Sequence, residues 1–226
     1  MSAERESGHE SPEGQGEEPK LSRRERRRRD TREEILAVAR ELLLEVGPEE
    51  LTLRQVARRA DFSPASLYTY FSSRDDIVVA LQAESLQRLG MYLRRVPLDL
   101  PPDRRIVELG VAYMDFAREN PVDLRCILSS AQGGFPEQGD RSVGLEVARL
   151  IGETFREGAE AGILVATDQL TLGEMAYGVW ALVQGVVSIG AVDLAEVAGD
   201  VTLAPRRVLE AYVAGFKATL DRLPPR

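Results

Sequence analysis

Two short helical segments separated by a tight turn, at residues 52–71, constrain this chain more than any other feature. Thr52 and Gln55 have the spacing of a capping box, in which two side chains satisfy backbone N–H groups at a helix start. After the turn, Ser63 is placed to cap another helix that has Pro64 at its first position. Two short helices joined by a turn of three or four residues form the helix-turn-helix pattern.

The rest of the chain also has helical periodicity, and no segment alternates polar and apolar residues with a period of two. We therefore predict an all-α protein with about nine helices, in which the capping box formed by Thr31 and Glu34 begins the first helix and Gly47 ends it. The predicted helices span approximately 31–47, 52–60, 63–70, 73–95, 103–119, 121–131, 141–162, 168–192 and 205–222.

The charge is distributed unevenly along the chain. The net charge is −8, but residues 21–74 carry +3, whereas residues 1–20 carry −4 and residues 75–226 carry −7. We expect the first twenty residues to be a disordered acidic tail, and their lack of an apolar stretch argues against a secretory signal. A basic segment joined to an acidic body indicates a small nucleic-acid-binding domain on a larger helical domain.

The composition excludes most enzyme classes. There is one histidine, His9, in the polar tail, and the two lysines, Lys20 and Lys217, do not follow a glycine-rich loop. Catalytic triads that need histidine, histidine-based zinc sites and a phosphate-binding P-loop are therefore not expected, and no cofactor or metal is predicted. The single cysteine allows no disulfide within the chain, which favours a reducing, cytoplasmic compartment.

The longest apolar run extends from Met175 to Val192 and is just long enough to cross a membrane. It contains Gln184 and several glycines and lacks flanking Lys or Arg. We therefore interpret it as a helix buried in a core or at a subunit contact, and we expect no membrane partner.

The segment ILAVARELLLEVGPEELTLRQVARRADFSPASLYTYFSSRDDIVVAL, residues 35–81, resembles the DNA-binding domain of the TetR family of bacterial transcriptional regulators. The family usually has glycine at the turn position held by Asp61, a residue that tolerates a positive φ. In one subgroup a histidine stands where this chain has Gln184. The resemblance implies a helix-turn-helix DNA-binding domain at residues 21–75 and a ligand-binding and dimerisation domain at residues 76–226.

The resemblance also implies which residues face DNA. Helical spacing places the small and hydroxyl side chains opposite the buried Leu67, as expected for a helix that lies in a major groove. Tyr68 has an alternative position, packed under the helix, and Arg58 and Arg59 are better explained as solvated or paired with acids. The base-facing residues are Arg54, Pro64, Ala65, Ser66 and Thr69, and the phosphate-contacting residues are Thr52, Tyr68, Tyr70 and Arg74.

An arginine cluster at residues 23–29 precedes this domain. One interpretation is a solvated extension of the first helix, and the other, which we favour, is an arm that follows the DNA backbone or enters a minor groove.

The resemblance further implies a homodimer that pairs through the last two helices. Their apolar stripes are Val179, Leu182, Val186 and Ile189 in one helix, and Leu209, Tyr212, Val213, Phe216 and Leu220 in the other, although these stripes would also suit a core within the chain. A pocket for a small, largely apolar effector would be lined by Tyr113, Phe116, Phe155, Tyr177, Trp180 and Gln184, which would equally suit an ordinary aromatic core.

The predicted function is a DNA-binding transcriptional regulator, most simply a repressor that a small ligand releases from a palindromic operator. Two alternatives remain at this point: a small all-α enzyme that uses Asp/Glu chemistry, and a helix-turn-helix protein that bridges partners without binding DNA. No paired carboxylates stand out on an apolar face to favour the enzyme.

Overall fold

A computed structural model describes residues 22–47, 50–131, 142–189 and 204–217, and within these ranges the chain forms nine α-helices and no strand. The predicted all-α fold is confirmed. The helices are α1 Arg23–Val46, α2 Leu53–Arg59, α3 Pro64–Leu67, α4 Arg74–Leu93, α5 Pro102–Glu119, α6 Pro121–Ala131, α7 Ser142–Glu160, α8 Leu172–Ile189 and α9 Ala204–Gly215.

Helix α1 begins at Arg23, with Ser22 as its N-cap, and not after Thr31, so the predicted start was wrong. The Ser22 hydroxyl accepts a hydrogen bond from the Glu25 backbone N–H at 3.2 Å, and the Glu25 carboxylate accepts one from the Ser22 N–H at 2.8 Å. This capping box comes earlier in the chain than the one formed by Thr31, and arginine is a good helix former, so the arginine cluster continues the helix. Residues 23–29 are hereafter the arginine extension.

The helix-turn-helix forms as predicted, with one difference in length. Thr52 and Ser63 cap α2 and α3, and Asp61 adopts a φ of 57°, so the turn survives without glycine. Helix α3 is shorter than predicted, because after Leu67 the backbone tightens into hydrogen bonds three residues apart, such as that from the Tyr70 N–H to the Leu67 carbonyl.

A cluster of buried side chains, hereafter the head core, unites the first three helices with the start of α4. Burial of this much apolar surface is what orders α2 and α3, since helices of this length are not stable alone. Cys126 of α6 is also buried in the cluster. Its members include Ile35, Leu36, Ala39, Leu42, Leu43, Leu51, Val56, Ala57, Leu67, Phe71, Ile77, Ala80 and Leu81.

The remaining helices form a body in which α5 is central and contacts α4, α6, α7, α8 and α9. Gly110 of α5 faces α9, where a side chain would meet Leu209 and, at 3.3 Å, Val183. The Arg105 side chain is buried and donates to the Glu157 carboxylate at 2.6 Å and to the Leu100 carbonyl at 3.1 Å. These contacts hold α5, α7 and α9 in one packed unit.

An ionic cluster joins the head core to the body. Asp123 of α6 is 4% exposed and accepts hydrogen bonds from Arg40 of α1, from Ser85 of α4 at 2.7 Å and from Arg88 of α4 at 2.8 Å. Arg40 also donates to Glu84 at 2.6 Å. Burial by itself would raise the pKa of Asp123, but the hydrogen bonds from Ser85 and Arg88 and the charge of Arg40 outweigh it and lower that pKa.

The apolar stripes predicted for dimerisation divide into two sets. Val179, Leu209, Val213 and Phe216 are buried within the chain, which agrees with the alternative of an internal core. Tyr212 and Ile189 are exposed, Leu182 and Val186 are half-buried, and Leu220 lies outside the described residues. The two stripes therefore do not form one continuous surface for a subunit contact.

Candidate nucleic-acid interface

Helix α3 presents one polar face to solvent. Leu67 is buried in the head core, whereas Pro64, Ala65, Ser66 and Thr69 are exposed. The Ser66 hydroxyl lies 2.8 Å from that of Ser63, and the Thr69 hydroxyl donates to the Ser66 carbonyl at 2.7 Å. These local hydrogen bonds hold the face flat, with small side chains and hydroxyls that suit contact with base edges and thymine methyl groups in a major groove.

Helix α2 precedes α3 in the chain, and its start adds a charged group to the candidate interface. Thr52 and Arg54 are both exposed, and the Thr52 hydroxyl also hydrogen-bonds to the Gln55 side chain at 2.7 Å. Arg59 makes a two-point ion pair with Glu45, at 3.1 and 2.6 Å, which lowers the pKa of the Glu45 carboxyl through hydrogen bonding. The expectation that Arg59 pairs with an acid is therefore confirmed.

The two tyrosines at the end of the helix-turn-helix are placed differently. Tyr68 is 58% exposed, so the alternative in which its ring packs under the helix is wrong. Tyr70 is half-buried, and its ring meets that of Phe62 edge-on at 6.2 Å between centroids. The ring packs in the turn, and the hydroxyl is the part of the side chain that can make a contact at the surface.

Arg74 is the first residue of α4 and makes an ion pair with Asp75 at 3.0 Å. The turn before it is ordered by Asp76, whose carboxylate accepts hydrogen bonds from the Ser72 side chain and, at 2.9 Å, the Ser72 backbone N–H. Hydrogen bonding from Ser72 lowers the pKa of Asp76. This places a guanidinium beside the positive end of a long helix, an arrangement that suits a phosphate.

The arginine extension packs against the end of the helix-turn-helix. Arg28 donates to the Thr69 carbonyl at 3.1 Å, and its guanidinium lies 5.9 Å from the centre of the Tyr70 ring. An open groove of about 810 Å³ separates the two elements, lined by Arg23, Arg24, Arg27, Arg28, Thr31, Thr69 and Tyr70. Sequence reasoning missed this groove, although the Ser22–Glu25 spacing could have shown that the arginines are helical.

The residues predicted to line an effector pocket are brought together only in part. The Tyr113 hydroxyl donates to the Gln184 side chain at 2.7 Å, and the Tyr113 ring lies 6.5 Å from that of Phe116. Burial raises the pKa of Tyr113 to about 12, opposed by the hydrogen bond to Gln184. Phe116 and Phe155 are buried in two different clusters.

Tyr177 and Trp180 lie on the outer face of α8 and not in the interior, since they are 67% and 47% exposed. Their rings contact each other, with 6.1 Å between centroids. Helix α8 is long and apolar enough to qualify as a membrane span, and 17% of the span is buried. Its inner face packs into the body through Met175, Val179 and Val183.

Among the described residues, no three His, Cys, Asp or Glu side chains are grouped so that they could hold a metal ion.

Comparison with known proteins agrees with this geometry. Residues 35–81 match the model of bacterial regulatory proteins of the tetR family. An HTH-type transcriptional regulator of Mycobacterium tuberculosis is 27% identical over 157 residues, which cover 67% of this chain and 72% of that protein. A second one from the same organism is 29% identical over 152 residues, covering 64% of each chain.

A solved structure of a bacterial regulatory protein in the tetR family from Rhodococcus is similar in fold. Its TM-score is 0.63 with 16% identity, and the match covers 82% of this chain and 96% of that one. The fold likeness extends well beyond the segment that the family model matches.

Proposed function

We propose that this chain, as a DNA-binding transcriptional regulator of the TetR family and not an enzyme, acts in the cytoplasm as a homodimer on a palindromic operator. In this proposal it is a repressor that a small, largely apolar ligand releases. Residues 21–75 bind DNA, and residues 76–226 hold the ligand and the partner subunit.

The observation that carries the proposal is the exposed, rigid face of α3. A helix with small outer residues fits closely into a major groove, where hydroxyls and methyl groups reach base edges. In our proposal Arg54, Pro64, Ala65, Ser66 and Thr69 face the bases, while Thr52, Tyr68, Tyr70 and Arg74 contact phosphates. Phosphate contacts set the position of the head on DNA, and base contacts set the sequence preference.

One short helix contacts too few base pairs for selectivity, so such proteins bind as dimers on two half-sites. The exposed aromatic face of α8, with Tyr177 and Trp180, lies beside exposed apolar residues of α9, Val208 and Tyr212. Gly178 allows this arrangement, since a side chain there would collide with the Tyr212 hydroxyl. A contiguous apolar face of this kind is characteristic of a subunit contact, and we propose that the partner covers it.

The interior between α5 and α8 supports an effector of low polarity. Tyr113 and Gln184 form one polar pair among apolar neighbours, surroundings that suit an uncharged ligand with a single hydrogen-bonding group. Helix α4 is the connection to DNA, because Ile77 and Leu81 lie in the head core while Leu89 and Leu93 pack in the body. A coupling of about 1–3 kcal/mol between ligand and operator would lower DNA affinity roughly 5–150-fold.

Selection of bound sequences from a random DNA pool, followed by mobility shift with the recovered duplex, tests this function. We expect a recovered site with two-fold symmetry, bound by two chains, and an affinity that falls steeply with salt. Recovery of no preferred sequence would favour the alternative of a protein that bridges partners without reading DNA. Compounds that raise the melting temperature of the chain would then be tested for release of the duplex.

A further inference from the structure

We propose that the groove between the arginine extension and the end of the helix-turn-helix holds a sugar–phosphate strand of the operator, next to the base pairs that α3 reads. This inference rests on the proposed function, and it extends the DNA-binding surface from one short helix to a second, rigid helix. The strand would be the partner of a cationic surface that base recognition by α2 and α3 does not require.

The groove has the shape and chemistry that a phosphodiester strand needs. One wall is lined by Arg23, Arg24 and Arg27, and the other by Thr69 and Tyr70. Guanidinium groups make paired hydrogen bonds to phosphate oxygens, and the opposite wall offers the side chain of Tyr70, which we also propose as a phosphate contact.

Of the arginines that line the groove, Arg28 contacts the helix-turn-helix, whereas Arg23, Arg24 and Arg27 are exposed and precede the head core in the chain. All residues from Arg23 to Arg29 are exposed, and the head core begins only at Ile35. Among the described residues, the ion pairs of this segment are those of Arg29 with Asp30 at 3.7 Å and with Glu33 at 3.5 Å. Concentrated positive charge repels itself unless an anion is bound, and this chain is otherwise acidic.

Arg28 has a separate role, as a positioning residue. Its hydrogen bond to the Thr69 carbonyl and its place beside the Tyr70 ring fix the extension relative to the reading head. Because the extension is a continuous helix with α1, it cannot swing like a flexible arm. At about 1.5 Å per residue, seven residues extend roughly 10 Å, enough to follow two or three phosphates of one strand.

A pair of double variants on opposite faces of the same helix tests the proposal. Arg24→Gln with Arg27→Gln removes two charges from the groove, while Arg26→Gln with Arg29→Gln removes two from the opposite face. Glutamine preserves helix propensity, so both variants should retain helical content and melting temperature, which circular dichroism checks. The probe is the duplex that the wild-type chain selects from a random pool.

Because each of the two bound subunits loses two phosphate contacts, the groove variant should lose at least about tenfold affinity at 50 mM salt, and its slope of log affinity against log salt should become shallower by about 3.6. Between about 50 and 200 mM salt the wild-type dimer should therefore lose roughly 150-fold more affinity than the groove variant. The opposite-face variant should keep nearly the wild-type slope. Sequence preference should stay the same in both, because phosphates carry no base identity.

Neutral methylphosphonate linkages, placed one at a time along each strand, locate the contact. A linkage that weakens the wild-type chain and has no effect on the groove variant marks the strand in the groove. Equal losses for the two double variants would show that only overall charge matters and would overturn the proposal. A wild-type slope in the groove variant would overturn it while leaving the proposed function intact, whereas failure of the wild-type chain to select any sequence would overturn both.

Discussion

At the scale of single residues, Arg54 provides the sharpest test of sequence reading. It is exposed at the start of α2, as is Arg58 at the end of the same helix. Replacing Arg54 with alanine should cost roughly 1–3 kcal/mol of operator binding and relax the preference at one position in each half-site. Competition binding against a set of single-base operator variants measures both effects.

Arg58→Ala is the matched control, since it removes the same charge from the other end of α2. It should lower affinity for all operator variants by the same factor. If Arg54→Ala leaves the preference profile identical to that of the wild-type chain, Arg54 does not read a base.

Substitutions at Tyr68 and Tyr70 should distinguish a role in DNA binding from a role in folding. Tyr68 is 58% exposed, so Tyr68→Ala should weaken binding to every sequence and leave the melting temperature unchanged. Tyr70 packs on Phe62 and under Arg28, so Tyr70→Ala should destabilise the head by about 1–3 kcal/mol. Thermal unfolding and DNA titration of both variants distinguish these outcomes; a large loss of stability in Tyr68→Ala would contradict the assignment.

At the scale of helices, the ionic cluster around Asp123 connects α1, α4 and α6. Asp123→Asn removes the charge that compensates Arg40 and Arg88, and it should lower the free energy of unfolding by about 3 kcal/mol. Asp115→Asn, at an exposed ion pair with Arg118, should cost no more than about 1 kcal/mol. Urea denaturation measures both.

The same cluster predicts a pH dependence. The pKa of Asp123 is lower in the folded chain than its ordinary value, so its stabilisation is complete above the ordinary carboxyl value of about 4. The stabilisation is lost as pH falls from there through the folded pKa. The difference in stability between the wild-type chain and Asp123→Asn should therefore narrow below about pH 4; a constant difference across that range would be inconsistent with it.

Close helix contacts in the body depend on Gly110. A Cβ there would meet the Leu209 side chain and lie 3.3 Å from Val183, so Gly110→Ala should destabilise the body by about 1–3 kcal/mol. A Cβ at Gly152 of α7 would meet nothing within 4 Å, and Gly152→Ala should instead stabilise by roughly 0.5–1 kcal/mol through helix propensity. The two variants should shift the melting temperature in opposite directions from that of the wild-type chain. A Gly110→Ala variant that melts at a higher temperature would show that α5 and α9 are not in contact.

At the scale of the whole molecule, the proposed subunit contact on the outer face of α8 can be tested directly. Trp180→Glu places a charge on the proposed subunit contact and should convert the dimer to monomers, with loss of operator binding and little change in helical content. Leu145→Glu on α7, where the side chain is 65% exposed, is the control for an added surface charge. Sedimentation at micromolar concentration reports the assembly state, and a dimeric Trp180→Glu would move the contact elsewhere.

The sequence by itself was sufficient for the features that depend on local interactions. Caps at Thr52 and Ser63, the helical period and the placement of Leu67 toward the interior follow from hydrogen bonds and side-chain spacing within a few residues. The sequence also contains the capping box that begins at Ser22. The capping box at Thr31 has the same local pattern, and the sequence alone does not show which of the two begins the helix. The run of arginines was ambiguous between an arm and a helix for that reason.

Only the tertiary structure decided which face of each helix is covered. An amphipathic stripe has the same spacing whether it packs within the chain or against a partner, so Leu209 and Val213 could not be separated in advance from Tyr212. Trp180 and Tyr177 follow the same helical period as a pocket lining, yet the packing of α8 on α5, α7 and α9 turns them outward. The contact of Arg28 with Thr69, 41 positions apart in the chain, likewise arises from the fold, because only folding brings α1 against the end of the helix-turn-helix.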